Sequence, residues 1–223
     1  MGKGQEKTNK NNKQKLTTKE KQEKKKAKKE GKKWVIIKTI DNFLTEEECK
    51  EIISLIDSNN QRSAVIDDGS YGIRIDENRT SSTSYFDNTI IIVSQIKNKI
   101  AKYLSVDSKQ IEPLQGQKYT SGQYFKPHFD YLFSSEETQR IKESGNRYWT
   151  VLIYLNDDFD GGTTNFPKLN FEIKPKKGMA LVFQNMKNGQ VIQESLHEGK
   201  SILAGFKYIV TAWIRERNFT RDD

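Results

Sequence analysis

The chain has 223 residues, 38 Lys and Arg against 30 Asp and Glu, and a formal net charge of +8. Its single cysteine, Cys49, excludes an intrachain disulfide, and no apolar run reaches the length of a membrane span. The excess charge is local: residues 1–33 hold 14 Lys and 4 Glu, while the 24 basic and 26 acidic side chains of residues 34–223 nearly cancel.

Residues 1–33 carry almost no apolar side chains and are expected to stay disordered, because they cannot bury enough surface to offset ordering entropy. A block of like charge is usually a solvated tail. KKKAKK also has the composition of a nuclear-import signal, or of a loose attractor for nucleic acid or acidic lipid. No signal-peptide core follows it, so the expected location is cytoplasmic, with a nuclear variant through the tail.

WVIIKTIDNF, from Trp34, mixes aromatic and β-branched residues and reads as a first strand. LTEEECKEIISLIDSN reads as a helix, with Thr45 and Glu48 at capping-box spacing and Ile52, Ile53, Leu55 and Ile56 as its apolar face. Residues 59–86 read as a long loop or irregular hairpin. A second helix is expected over DNTIIIVSQIKNKIAKYLSV, with Ile90, Val93, Ile96 or Lys97, Ile100 and Leu104 on one stripe. After Pro113 the pattern turns to strands: QGQKYT, RYWTVLIYLN, LNFEIKP, GMALVFQN and SILAGFKYIVTAWIRE, with turn signals in DDFDGG, PKKG and KNG. RYWTVLIYLN is apolar along most of its length, as expected of a strand covered on both faces. Residues 131–146 interrupt the strands with a polar insertion. The order of elements predicts a mainly β, α+β protein: a sandwich or barrel with helices packed outside.

The chain has two histidines, His128 and His197. His128-Phe-Asp130 on a strand would place imidazole and carboxylate on one face, since side chains alternate with period two. His197, just before a later strand, could complete a triangle. Two imidazoles and one carboxylate with open positions suit a non-haem Fe(II) oxygenase, although zinc uses the same three ligand types. Lys207, in GFKYIVTAWIRE, sits where a strand's inward positions should be apolar, and is unexpected there unless it meets a fixed anion or snorkels out at an edge.

From about Leu114 to Arg217 the chain resembles the prolyl 4-hydroxylases, within the Fe(II)- and 2-oxoglutarate-dependent dioxygenases. The matching residues run in order through Tyr119, Gly122, Phe125 and His128-Phe-Asp130, then Arg147 and Thr150 before LIYLN. They continue through GGTTNF (161–166), Pro175, Gly178, LHEG (196–199), GFK (205–207) and Trp213. Residues 34–113 match more loosely, through Glu112 and Arg79-Thr80-Ser81; residues 1–33 match nothing.

The resemblance implies a double-stranded β-helix (jelly roll) over about 114–217, supported by helices within 34–113, in one domain over 34–223. It implies that His128, Asp130 and His197 bind Fe(II), with no catalytic side chain beyond these ligands. Lys207 would pair with the distal carboxylate of 2-oxoglutarate, with Tyr119 and Thr164 donating hydroxyl hydrogen bonds to it. Related nucleic-acid demethylases generally use Arg for that anchor, so Lys207 favours the prolyl and lysyl hydroxylase branch. O2 would be consumed, 2-oxoglutarate would leave as succinate and CO2, and ascorbate would serve as reductant. Arg147, Trp213 and Glu112 would line the substrate side. The expected partner is a proline-containing peptide or protein, collagen-like chains included, covered by loops 63–83 and 131–146 with Gly69, Gly72 and Gly145 as flexible points. Two alternatives stay open: a lysyl or other amino-acid hydroxylase on the same scaffold, and an inactive binding module recruited by the tail.

Overall fold

The computed structural model describes residues 35–59, 61–62, 65–66, 73–74, 77–133 and 138–219. The lysine-rich tail, Gly69 and Gly72 lie outside the described residues.

Helix α1 (Glu46–Ser58) starts at the expected capping box: Glu48 N donates to Thr45 Oγ1 and Thr45 N to Glu48 Oε2. Three acidic residues in its first turn suit the positive end of the helix dipole. Helix α2 (Ile91–Leu104) buries Ile92, Val93, Ile96, Ile100 and Ala101. The expected stripe packs inward, with Val93, Ile96 and Ile100 in the core and Ile90, here the N-cap residue, and Leu104 against it. The insertion at 131–146 contains a further short helix, α3 (Thr138–Ser144). The irregular segment before Phe86 holds the small hairpin Val65–Ile66/Ile73–Arg74.

Ten strands carry the argument: β1 (Ile37–Ile40), β2 (Ser82–Tyr85), β3 (Gln115–Tyr119), β4 (Phe125–His128), β5 (Arg147–Tyr154), β6 (Thr164–Phe166), β7 (Phe171–Ile173), β8 (Ala180–Gln184), β9 (His197–Gly199) and β10 (Lys207–Arg215). The larger sheet runs β1-β8-β5-β10-β3-β2 and ends on the two-residue strand Gln61–Arg62; the smaller runs β7-β6-β9-β4. All pairings in both are antiparallel. SILAGFKYIVTAWIRE is two strands, broken at Gly205, whose φ of 83° few side-chain-bearing residues adopt.

Period-two alternation sends each central strand into two cores. Val151, Ile153, Val210, Ala212 and Ile214 face the helices and pack with Ile52, Ile56, Ile96 and Ile100. Leu152, Tyr154, Leu181, Phe183 and Ile209 face the smaller sheet, with Phe166 and Ile173. Burying each such aliphatic side chain contributes about 1.5–3 kcal/mol before entropy is counted. A Cβ at Gly116 would collide with Ile56 and Phe86, so glycine there lets α1 lie directly on β3. This two-layer β architecture, with helices on the outer face of the large sheet, is the jelly-roll arrangement expected from the sequence.

Candidate active site

The inward face of β10 presents Lys207, Ile209, Thr211 and Trp213 in alternation, and all four line one cavity between the sheets. Tyr119, on the neighbouring strand, is paired with Lys207. Across the cavity, β4 and β9 pair so that His128 lies opposite His197. His197 is therefore the first residue of a strand rather than its forerunner. Asp130 lies just beyond the end of β4, not on it. Pro127 fits β4 because this strand forms the edge of the smaller sheet, where a missing N–H costs no ladder bond.

His128, Asp130 and His197 bring their ligand atoms within 4.8 Å of one another. Asp130 Oδ1 lies 3.7 Å from His128 Nε2, and Oδ2 lies 3.7 Å from His197 Nε2. The Nδ1 of His128 bonds the Lys126 carbonyl at 2.8 Å and that of His197 the Ser195 carbonyl at 2.9 Å. A carbonyl only accepts, so each Nδ1 carries a proton and each Nε2 faces the shared space, where a neutral ring offers its lone pair. Burial, followed by the neighbouring His197, pushes the His128 pKa down to about 3 and keeps the ring neutral. Burial opposes ionisation of Asp130. His197, His128, Arg147 and a hydrogen bond from Thr150 outweigh it and hold the carboxyl below its usual range. Neutral imidazoles and an ionised carboxylate are the donor set a divalent metal requires, and the fit is to three protein ligands with coordination positions left over.

Lys207 is 4% exposed. Its Nζ donates to the Gly162 carbonyl and faces the Tyr119 and Tyr154 rings, but among the described residues no carboxylate pairs with it. Burial lowers its pKa to about 7. Gly162 has φ 64°, and a Cβ there would press on Ile202 and the Lys207 stem. Thr164 Oγ1 lies 2.7 Å from the hydroxyl of Tyr154, whose pKa burial raises. A protonated Tyr154 that donates to Thr164 leaves the threonine proton free for another acceptor.

The remaining candidates form one connected group. Arg147 makes a two-pronged pair with Glu112 (2.8 and 3.0 Å), and its guanidinium lies 3.6 Å from the Trp213 ring centre. Arg215 Nε lies 2.6 Å from the same Glu112 carboxylate. Burial raises the Glu112 pKa, but the two guanidiniums overcome this and lower it. Only Trp213 of these faces the cavity, with an indole N–H that is buried and has no partner. Sequence reasoning missed Arg215 and Tyr154, and it left Arg79 unassigned. Arg79 is 6% exposed, lines the cavity beside His128 and has an Nε without a partner among the described residues. Nothing local marks these residues, since their partners come from other strands.

Residues 114–215 match the family described as the 2OG-Fe(II) oxygenase superfamily. Prolyl 4-hydroxylase 2 of Arabidopsis thaliana is 33% identical over 204 residues, covering 81% of this chain and 67% of the relative. A putative prolyl 4-hydroxylase of Acanthamoeba polyphaga mimivirus is 32% identical over 185 residues, covering 81% and 74%. Among solved structures, a viral collagen prolyl hydroxylase from Paramecium bursaria Chlorella virus-1, in complex with 2-oxoglutarate, superposes with TM-score 0.63 and 26% identity. That match covers 80% of this chain and 95% of the other. A Trichoplax adhaerens prolyl hydroxylase, crystallised with a hypoxia-inducible-factor peptide, shares the fold at TM-score 0.58 and 16% identity, covering 90% and 94%. Members of the superfamily are oxidoreductases that consume Fe(II)-activated O2 and 2-oxoglutarate, and the buried His-Asp-His face and lone lysine of this cavity suit both. The chain belongs to the prolyl 4-hydroxylase family of 2-oxoglutarate- and Fe(II)-dependent oxygenases.

Proposed function

We propose that this chain hydroxylates proline in an extended peptide, with Fe(II) held by His128, Asp130 and His197 and 2-oxoglutarate anchored by Lys207. The observation that carries this is the pairing, in one cavity, of a His-Asp-His group able to hold a metal with a buried cation that no carboxylate among the described residues neutralises. Bound Fe(II) supplies the activation of O2 that couples loss of CO2 from 2-oxoglutarate to insertion of oxygen into a C–H bond.

The chain's own part is binding, orientation and exclusion of water. Lys207 offers a buried point charge in the cavity, and the Tyr119 and Thr164 hydroxyls take remaining lone pairs of the same carboxylate, so a buried charge is both paired and bonded. At the other end Trp213 presents an apolar face for a proline ring and an indole N–H for a peptide carbonyl. Arg147, fixed by Glu112, backs that ring. The viral relative named a collagen prolyl hydroxylase supports including collagen-like repeats among the substrates. Ascorbate is proposed as the reductant and the lysine-rich tail as a recruiting segment outside the catalytic domain (residues 34–223). No described helix is long and apolar enough to cross a membrane.

The test is incubation with Fe(II), ascorbate, 2-oxoglutarate and a panel of proline-rich, Gly-X-Y and lysine-containing peptides, read by mass spectrometry. The expected result is succinate together with one added oxygen on proline. Oxygen on lysine would assign the other hydroxylase class, and no added oxygen on any peptide would refute the reading.

A further inference from the structure

Each of the three metal-facing side chains has a second hydrogen bond, but the three are unlike. His128 and His197 lean on backbone carbonyls, which no substitution removes. Asp130 leans on a side-chain relay: Thr150 Oγ1 donates to Asp130 Oδ2 at 2.7 Å, and Asn185 Nδ2 donates to Thr150 Oγ1 at 2.8 Å. Thr150 and Asn185 are 0% exposed and Asp130 is 6% exposed.

Proton counting fixes the direction of the relay. An ionised carboxylate only accepts, so the single hydroxyl proton of Thr150 goes to Asp130. The Thr150 oxygen must then take a donor, and Asn185 turns its NH2 toward it. The cost is visible on the other side of the amide, where Asn185 Oδ1 is buried without a partner among the described residues. An orphaned acceptor costs roughly 1–3 kcal/mol, so the asparagine is held here for its donor. Its backbone is fixed as well: the Asn185 N–H bonds the Tyr148 carbonyl, and its carbonyl accepts from Ile192 N.

We propose that Thr150 and Asn185 are positioning residues for the metal centre. They fix the Asp130 carboxylate through Oδ2, so that its orientation toward His128 and His197 is set before a metal binds. Without that hydrogen bond the carboxylate is free to turn and to change how its oxygens would meet an ion. This rests on the assignment of His128, Asp130 and His197 as metal ligands.

The test is titration of the metal-free chain with Co(II), followed by visible ligand-field absorption, for wild type, Thr150→Val, Thr150→Ser, Asn185→Ala and Asp130→Ala. Loss of an outer partner of a metal ligand typically weakens metal binding by about 10–100-fold. Thr150→Val is expected to fall in that range and to change the band shape, since the carboxylate then meets the ion differently. Asn185→Ala should move both readouts the same way by less, and Thr150→Ser should restore both. Wild-type affinity and spectrum in a folded Thr150→Val protein would overturn the proposal, as would a Thr150→Ser protein no better than Thr150→Val. If Thr150→Val does not fold, Asn185→Ala decides by the same readouts. Unchanged Co(II) binding in Asp130→Ala would refute the metal site itself, which separates that failure from failure of the relay.

Discussion

Two cations, Lys207 in the cavity and Arg147 behind its Trp213 wall, are treated in opposite ways. Arg147 is met by a carboxylate of its own chain: Glu112 grips it with both oxygens and is shared with Arg215. Lys207 is more deeply buried, yet among the described residues no carboxylate pairs with it; a backbone carbonyl and two tyrosine rings face it, and its pKa falls to about 7. A charge that the fold neutralises internally is part of the scaffold. A charge that the fold leaves unneutralised, in a cavity beside a metal-ligand face, is set for an anion that comes and goes. The difference supports the proposal that the cosubstrate pairs with Lys207 while Arg147 serves as a fixed backing for Trp213.

The largest effect is expected where the two ends meet, at the ligand face. His128→Ala or Asp130→Ala should abolish succinate formation and peptide hydroxylation in the coupled assay, because two protein ligands no longer define the face. Next comes the scaffold cation. Arg147→Ala leaves buried Glu112 with one partner, and should cost roughly 3 kcal/mol, read as a fall in thermal midpoint of about 10 °C. Its apparent peptide affinity should fall while its 2-oxoglutarate requirement stays unchanged. A rise in that requirement would erase the distinction between the two cations.

Proton linkage gives a smaller, graded effect. Only the ammonium form of Lys207 pairs with a carboxylate, so 2-oxoglutarate affinity should decline as pH rises through about 7, with proton uptake on binding at higher pH, measurable by calorimetry in buffers of different ionisation heat. The folded pKa lies below that of the unfolded chain, so the unfolded chain holds more protons between about 7 and the ordinary lysine value. The ligand-free fold should therefore gain stability as pH rises through that window, in thermal melts. The smallest expected effect is none: deletion of residues 1–33 should leave turnover of short peptides unchanged, and lost turnover would make the tail part of the catalytic unit.

The sequence made the scaffold legible where signals are local. Thr45 and Glu48 announce the start of α1, and the apolar run of β5 announces a strand covered on both faces. The proposed ligand face had another signal, since a chain with two histidines leaves few ways to build one, and the fold brings both beside Asp130. Strand β9 escaped, and β4 was placed too far along the chain, because three and four residues, with Gly199 and Pro127 among them, carry no periodicity to read. Tyr154, Arg215, Arg79 and the Thr150–Asn185 relay escaped because each acts on a residue from another strand, and the sheet register that joins them is not written in either segment alone.

The most direct measurement is titration of 2-oxoglutarate into metal-loaded protein without oxygen, comparing wild type, Lys207→Ala and Arg147→Ala. Removing one partner of a buried, hydrogen-bonded charge pair costs about 2–5 kcal/mol, or roughly 30-fold to several thousandfold in affinity. Lys207→Ala should lose affinity in that range while keeping its metal, and Arg147→Ala should bind as wild type does. Wild-type affinity in Lys207→Ala, or equal losses in both variants, would contradict the assignment of Lys207 as the anchor.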